Sequence, residues 1–181
     1  MKVLDTDLSD VKIIEPAVHG DSRGFFLESF NERSFCENLG RKMRFVQDNH
    51  SRSEGGVLRG LHYQINRVQA KLVRVVQGEI FDVAVDLRKS SPTFGKWVGT
   101  QLSAENFRQL WIGEGFAHGF VVLSEIADVI YKTTDFYSPS DERCIIWCDA
   151  DLAIDWPIDG EPGLSDRDRE GVSFKDAELF A

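Results

Sequence analysis

The sequence predicts an all-β fold, a sandwich or barrel of short strands, from three observations. Segments rich in Val, Ile, Phe, Tyr and Trp recur with a period of two. Gly, Pro, Ser and Asn punctuate them at intervals of about ten residues. No helical pattern of roughly 10–15 residues separates consecutive segments, which disfavours a parallel βαβ arrangement. The expected strands are 43–49, 56–64, 71–77, 79–87, 96–102, 117–123 and 126–134.

Before that region, Val11 to Glu15 is an apolar run ended by Pro16, and Gly20-Asp21-Ser22-Arg23-Gly24 reads as a turn. Phe25-Phe26-Leu27-Glu28-Ser29-Phe30 is aromatic and strand-like. Asn31 has the chemistry of a helix N-cap, Phe30 and Phe35 flank it as a hydrophobic staple, and Gly40 is a natural stop. One short helix is therefore expected over 32–39. After Trp156-Pro157 the tail turns polar and predicts loop with short helix.

The chain has 181 residues, enough for one domain, 1–181, with a real core. Its 42% hydrophobic and 28% charged content excludes wholesale disorder, and thirteen Phe and four Trp against two Met predict rigid aromatic packing. Thirty acidic against 21 basic residues give a net charge of −9, which argues against a nucleic-acid or anionic-membrane binder. An anionic ligand needs a local basic cluster to overcome that field. Cys36, Cys144 and Cys148 cannot all pair and show no CxxC spacing. With no signal-peptide pattern and only short apolar runs, the expectation is a cytoplasmic protein of a reducing compartment.

Alternation sets polar groups among apolar neighbours on several strands. His62 falls on a face with Leu58, Gly60 and Gln64; Lys71 with Val73 and Val75; Asp82 with Ala84 and Asp86. His118 alternates with Phe120 and Val122, and Tyr131 with Val129 and Thr133. Taken singly, each has a plainer explanation: a hydrogen-bonded histidine, a snorkelling lysine, a core tyrosine, or, for Asp168 in Ser165-Asp166-Arg167-Asp168, half of a capping box. Metal binding is a sharper rival. Gly113-Glu114-Gly115-Phe116-Ala117-His118 looks like the second half of a cupin metal motif, but the first half reads His62-Tyr63-Gln64 where two histidines are usual. Two histidines without a carboxylate on their face make a poor transition-metal site, so no metal is expected.

Five stretches, in order, resemble the dTDP-4-dehydrorhamnose 3,5-epimerase family of nucleotide-sugar enzymes. They are Gly20-Asp21-Ser22-Arg23-Gly24-Phe25-Phe26-Leu27-Glu28-Ser29, Phe45-Val46-Gln47-Asp48-Asn49-His50-Ser51, Val57-Leu58-Arg59-Gly60-Leu61-His62-Tyr63-Gln64, Ser91-Pro92-Thr93-Phe94-Gly95 and Glu114-Gly115-Phe116-Ala117-His118-Gly119-Phe120. The resemblance covers about Val11 to Asp168. It implies a cupin-type jelly-roll β-sandwich with a short N-terminal helix and short C-terminal helices. It further implies a homodimer with strand exchange near the N-terminus, and no cofactor. The implied substrate is a dTDP-linked 4-keto-6-deoxy sugar inverted at C3 and C5; the alternative is a relative inverting one carbon only.

The roles it implies are His62 as general base, Tyr131 as general acid, Asp168 orienting His62 with Asp82 as a second carboxylate nearby, and Lys71 stabilising the enolate oxygen. His118 lines the sugar site. Arg23, Glu28, Gln47, Asn49 and Arg59 contact the nucleotide and diphosphate, with Arg23 and Glu28 serving the neighbouring subunit. Glu142 and Arg167 match further substrate contacts; Arg167 replaces the usual lysine, and Gly113 the usual proline. Strict alternation puts Arg59 and His62 on opposite faces, although the family uses both at the ligand. A bulge at Gly60, or a place for Arg59 at the site mouth, reconciles the two.

Overall fold

The computed structural model describes residues 1–181. In chain order its elements are β1 (Lys2–Asp5), β2 (Val11–Glu15), β3 (Val18–Asp21), β4 (Gly24–Leu27), α1 (Glu32–Leu39), β5 (Gln47–Glu54), β6 (Leu58–Gln64), β7 (Lys71–Gln77) and β8 (Glu79–Asp86). There follow β9 (Trp97–Ser103), β10 (Gln109–Ile112), β11 (Phe116–Val122), β12 (Ile126–Thr133), β13 (Glu142–Cys144) and α2 (Asp166–Arg169). No helix is long and apolar enough to cross a membrane.

Two antiparallel sheets face each other as a jelly-roll sandwich. One has the order β1-β2-β10-β7-β12-β5, the other β13-β6-β11-β8-β9, and β3-β4 stand apart as a hairpin. Between the sheets lies an apolar layer to which both contribute: Val73, Val75, Leu110, Ile112 and Val129 from the first, Ile80, Ala84, Phe116, Phe120 and Val122 from the second. The alternation that sends these residues inward also sends Lys71, Asp82, His118 and Tyr131 inward at one end of the layer.

The outer faces are covered separately. Helix α1 lies against the six-stranded sheet, where Phe35 packs on Trp111 with ring centroids 5.6 Å apart and on Phe30 at 5.5 Å. Its boundaries follow the expected chemistry: Asn31 accepts a hydrogen bond from the Ser34 amide, and Gly40 ends the helix at φ 67°, a left-handed conformation suited to glycine. The C-terminal tail covers the five-stranded sheet, laying Ile145, Leu152 and Trp156 over Leu58, Leu61, Tyr63 and Val83. The Tyr63 hydroxyl donates to the Glu178 carbonyl at 2.7 Å and pins that tail.

Several expectations need correction. The strand expected at 43–49 begins only at Gln47 and runs to Glu54; its polar sequence QDNHSRSE forms a sheet edge, where pairing with β12 rather than burial of both faces holds it. The aromatic strand from Phe25 stops at Leu27 and pairs back on β3. The tail has one α-helix, α2, rather than several. Strands β10 and β13 are too short to show a periodic signal and take their form from their neighbours.

Candidate active site

The functional side chains converge in a cavity of about 160 Å³ at one end of the sandwich, lined among others by Arg59, His62, Lys71, His118, Tyr131 and Glu142. His62 and His118 come from β6 and β11 in the five-stranded sheet, Lys71 and Tyr131 from β7 and β12 in the six-stranded one. The imidazole and the phenol therefore enter the cavity from opposing sheets.

The placement of His62 depends on a bulge. On β6, Arg59 and His62 are three residues apart, yet they pair with Phe120 and His118, which are two apart on β11. The extra residue at Gly60–Leu61 brings Arg59 and His62 to the same face. This corrects the face set by strict alternation: Leu58, expected beside His62, packs instead with Leu61 and Tyr63 on the opposite side. Arg59 sits at the cavity mouth, its Nε donating to Ser53 Oγ at 2.9 Å.

Behind His62 stands Asp168, buried, with Oδ1 2.7 Å from Nε2. The separation is that of a charge-assisted contact. Oδ1 also accepts from the Gly60 amide at 3.1 Å, and Oδ2 from the Ser165 hydroxyl at 2.6 Å. Burial pushes the Asp168 carboxyl up, but the His62, Ser165 and Gly60 contacts together outweigh it and hold the group at about 2. Ser165 caps α2 by accepting from the Asp168 amide, which is half of a capping box; the Asp168 carboxylate accepts from the Ser165 hydroxyl and faces the histidine.

Asp82, the second carboxylate expected nearby, pairs with His118, whose Nε2 lies 2.9 and 3.0 Å from its two oxygens. Burial lowers the His118 pKa, and the Asp82 charge opposes that. Lys71 is no surface snorkeler: it is 8% exposed, and its Nζ donates to the His62 carbonyl at 3.3 Å. Burial pushes its ammonium down to about 8, against the pull of Asp82 and Glu142. Burial raises the Tyr131 phenol, with Glu142 adding to the rise and Arg59 opposing it, so the hydroxyl keeps its proton at neutral pH.

Glu142 accepts from the Tyr137 hydroxyl at 2.7 Å and from Arg167, which reaches the site through this carboxylate. Gln47 and Asn49 lie next along β5, bonded to each other at 2.8 Å. Arg23 and Glu28 are not brought to this cavity by their own chain. Arg23 is on the β3–β4 turn with its side chain 88% exposed and bonded to Asp21, and Glu28 accepts from Asn31 beside α1. Sequence reasoning missed Ser51, Gln69, Phe120 and Tyr137, which also line the cavity. Alternation from Gln47 through Asn49 points to Ser51; Tyr137, in the loop after β12, carries no periodic signal.

The residues do not assemble the cupin metal set. Gln64 stands where a second histidine is usual, and its amide donates to the carbonyls of Arg67 and Phe136 at 2.6 and 3.2 Å while its oxygen accepts from the Ser138 amide. A separate set of donors, from His62, Cys144 and Asp168, lies within 4.8 Å of one another.

Comparison with known proteins agrees with this architecture. Residues 5–176 match the family model described as dTDP-4-dehydrorhamnose 3,5-epimerase. The chain is 62% identical over 180 residues to the dTDP-4-dehydrorhamnose 3,5-epimerase of Pseudomonas aeruginosa, covering 99% of each chain. It is likewise 62% identical over 181 residues to that of Shigella flexneri, again covering 99% of each. It superposes with a TM-score of 0.96 on a crystal structure of dTDP-6-deoxy-D-glucose-3,5-epimerase from Legionella pneumophila in complex with dTDP-4-keto-L-rhamnose, at 54% identity and covering 98% of this chain and 94% of that one.

Proposed function

This chain belongs to the dTDP-4-dehydrorhamnose 3,5-epimerase family and is an epimerase of that kind, and we propose that His62, Lys71 and Tyr131 carry its proton transfers. The substrate is the dTDP-linked 4-dehydro-6-deoxy sugar, converted to the 4-dehydro-L-rhamnose form by inversion at C3 and C5.

The observation that supports this most is the entry of His62 and Tyr131 into one cavity from opposing sheets. A 4-keto group acidifies the hydrogens on both neighbouring carbons. Inversion then needs a base on one face of the ring, a stabilised enolate, and an acid on the other face. The His62 imidazole takes the proton, and Asp168 supports the imidazolium that results. Lys71, charged below about pH 8, faces the developing oxyanion. Tyr131, held protonated, returns a proton from the far side.

Arg59, Lys71 and the neighbouring subunit's counterpart of Arg23 give the local positive field that a diphosphate needs in a chain of charge −9. Exposed Phe25 and Phe26, 60% and 70% accessible on the β3–β4 hairpin, support exchange of that hairpin in a homodimer. The three free cysteines fit a cytoplasmic enzyme acting as one catalytic domain.

Turnover of the 4-keto nucleotide sugar in deuterated water, followed by NMR, tests the reading. Label is expected at both C3 and C5 with both centres inverted. Label and inversion at one carbon only would assign the chain to single-carbon epimerisation.

A further inference from the structure

We propose that His62, Cys144 and Asp168 form a binding site for one thiophilic divalent cation of the zinc class, and that its binding takes the His62 imidazole out of acid–base service. The second half rests on the base role proposed above; the first does not.

The sheet register builds the site. His62 and Cys144 are directly opposed on β6 and β13. Their neighbours Leu61 and Ile145 exchange both backbone hydrogen bonds, each at 3.0 Å. The His62–Cys144 pair is therefore a non-hydrogen-bonded pair, the kind whose side chains stand closest across an antiparallel ladder. Asp168 adds an oxygen from α2, and the three donor atoms lie within 4.8 Å of one another. His62 Nε2 and Asp168 Oδ1 face each other at 2.7 Å, so nitrogen and oxygen both point into this cluster.

Nitrogen, sulfur and oxygen donors on a compact triangle suit zinc, whose bonds of about 2.0–2.3 Å separate tetrahedral ligands by roughly 3.3–3.8 Å. The Nε2–Oδ1 pair, now 2.7 Å apart, must open by roughly half an ångström to admit it. Three protein donors leave a fourth position for water, the pattern of an open zinc site. Entry forms metal–sulfur, metal–nitrogen and metal–oxygen bonds, releases the thiol proton and any proton on Nε2 to solvent, and changes no oxidation state. Cys144 takes no part in the proton transfers, so its loss leaves turnover intact.

Cobalt(II) titration of the purified protein tests the site directly. One equivalent is expected to give thiolate-to-cobalt absorption in the near ultraviolet, displaced by zinc, absent in Cys144→Ser and Cys144→Ala, and retained in Cys148→Ser. In parallel, zinc should inhibit the wild type reversibly with chelator, while Cys144→Ser, fully active in chelator, should need at least tenfold more zinc. Absence of the cobalt band in the wild type, or zinc inhibition of wild type and Cys144→Ser at the same concentrations, overturns the proposal. A cobalt band without inhibition sustains the site and contradicts the base role of His62, so the two failures are distinguishable.

Discussion

Asp168 is held from three sides, by the Gly60 amide, the Ser165 hydroxyl and the His62 ring. Removing the Ser165 hydroxyl deletes one of the contacts that keep this carboxyl near 2 and also uncaps α2. Ser165→Ala is expected to lower stability by about 1 kcal/mol and to move Asp168 back toward its ordinary value. The depressed pKa stabilises the fold above the unfolded value of 3.8, and that stabilisation is lost as pH falls toward 2. In Ser165→Ala this stabilisation should therefore be smaller and its loss complete at higher pH, with Ser165→Thr restoring the wild-type profile; acid titration followed by fluorescence measures both.

Lys71 makes the opposite kind of prediction. Below about pH 8 it is charged and able to stabilise an enolate, so kcat/KM should fall as pH rises through that value. Because burial lowers its pKa from 10.5, the folded chain sheds this proton before the unfolded one does. The contribution of Lys71 to stability should thus rise between about pH 8 and 10.5 while activity declines. Lys71→Met should lose roughly 10²–10³-fold in kcat, the effect of one oxyanion donor, and should lose that alkaline rise in stability.

At the scale of the element, β6 decides the site. Gly60 has φ 126°, and a Cβ there would meet Gly119 Cα at 2.5 Å and the His118 carbonyl at 2.8 Å. Gly60→Ala should cost about 1–3 kcal/mol of stability through backbone strain alone and displace Arg59 and His62 together. Thermal unfolding and steady-state kinetics of that variant check both effects; unchanged kcat would show that the bulge does not position the base. This bulge also explains what the sequence could not supply. Lys71, Asp82, His118 and Tyr131 lie on stretches that keep a period of two, the β7–β12 irregularity falling beyond them at Asp128–Val129, and their inward faces are legible from it. Strict alternation alone misplaces the face of His62, because one extra residue resets it within β6, where a bulge at Gly60 is one of the two expected ways to reconcile Arg59 with His62. Helix α1 was legible because its signals, Asn31, Phe30–Phe35 and Gly40, are local. The link between Asp168 and Gly60, 108 residues apart, and the pairing of Asp82 with His118 depend on tertiary packing that no local pattern records.

At the scale of the whole molecule, the sandwich places the His62 imidazole on one sheet and the Tyr131 phenol on the other, both lining one cavity. Arg23 lies outside its own chain's cavity. In the dimer proposed above, mixing Arg23→Ala chains with His62→Ala chains should therefore restore activity that neither variant has alone, because a mixed dimer would contain one site with both residues intact. Failure of mixed chains to regain activity, with mixed dimers shown by mass spectrometry, would place Arg23 elsewhere. The central claim concerns the two opposed groups, and deuterium exchange at C3 and C5 of the bound 4-keto sugar in His62→Ala and Tyr131→Phe tests it most directly. His62→Ala should abolish exchange at both carbons, whereas Tyr131→Phe should retain proton removal and fail to invert one centre. Exchange in His62→Ala at the wild-type rate would contradict the account.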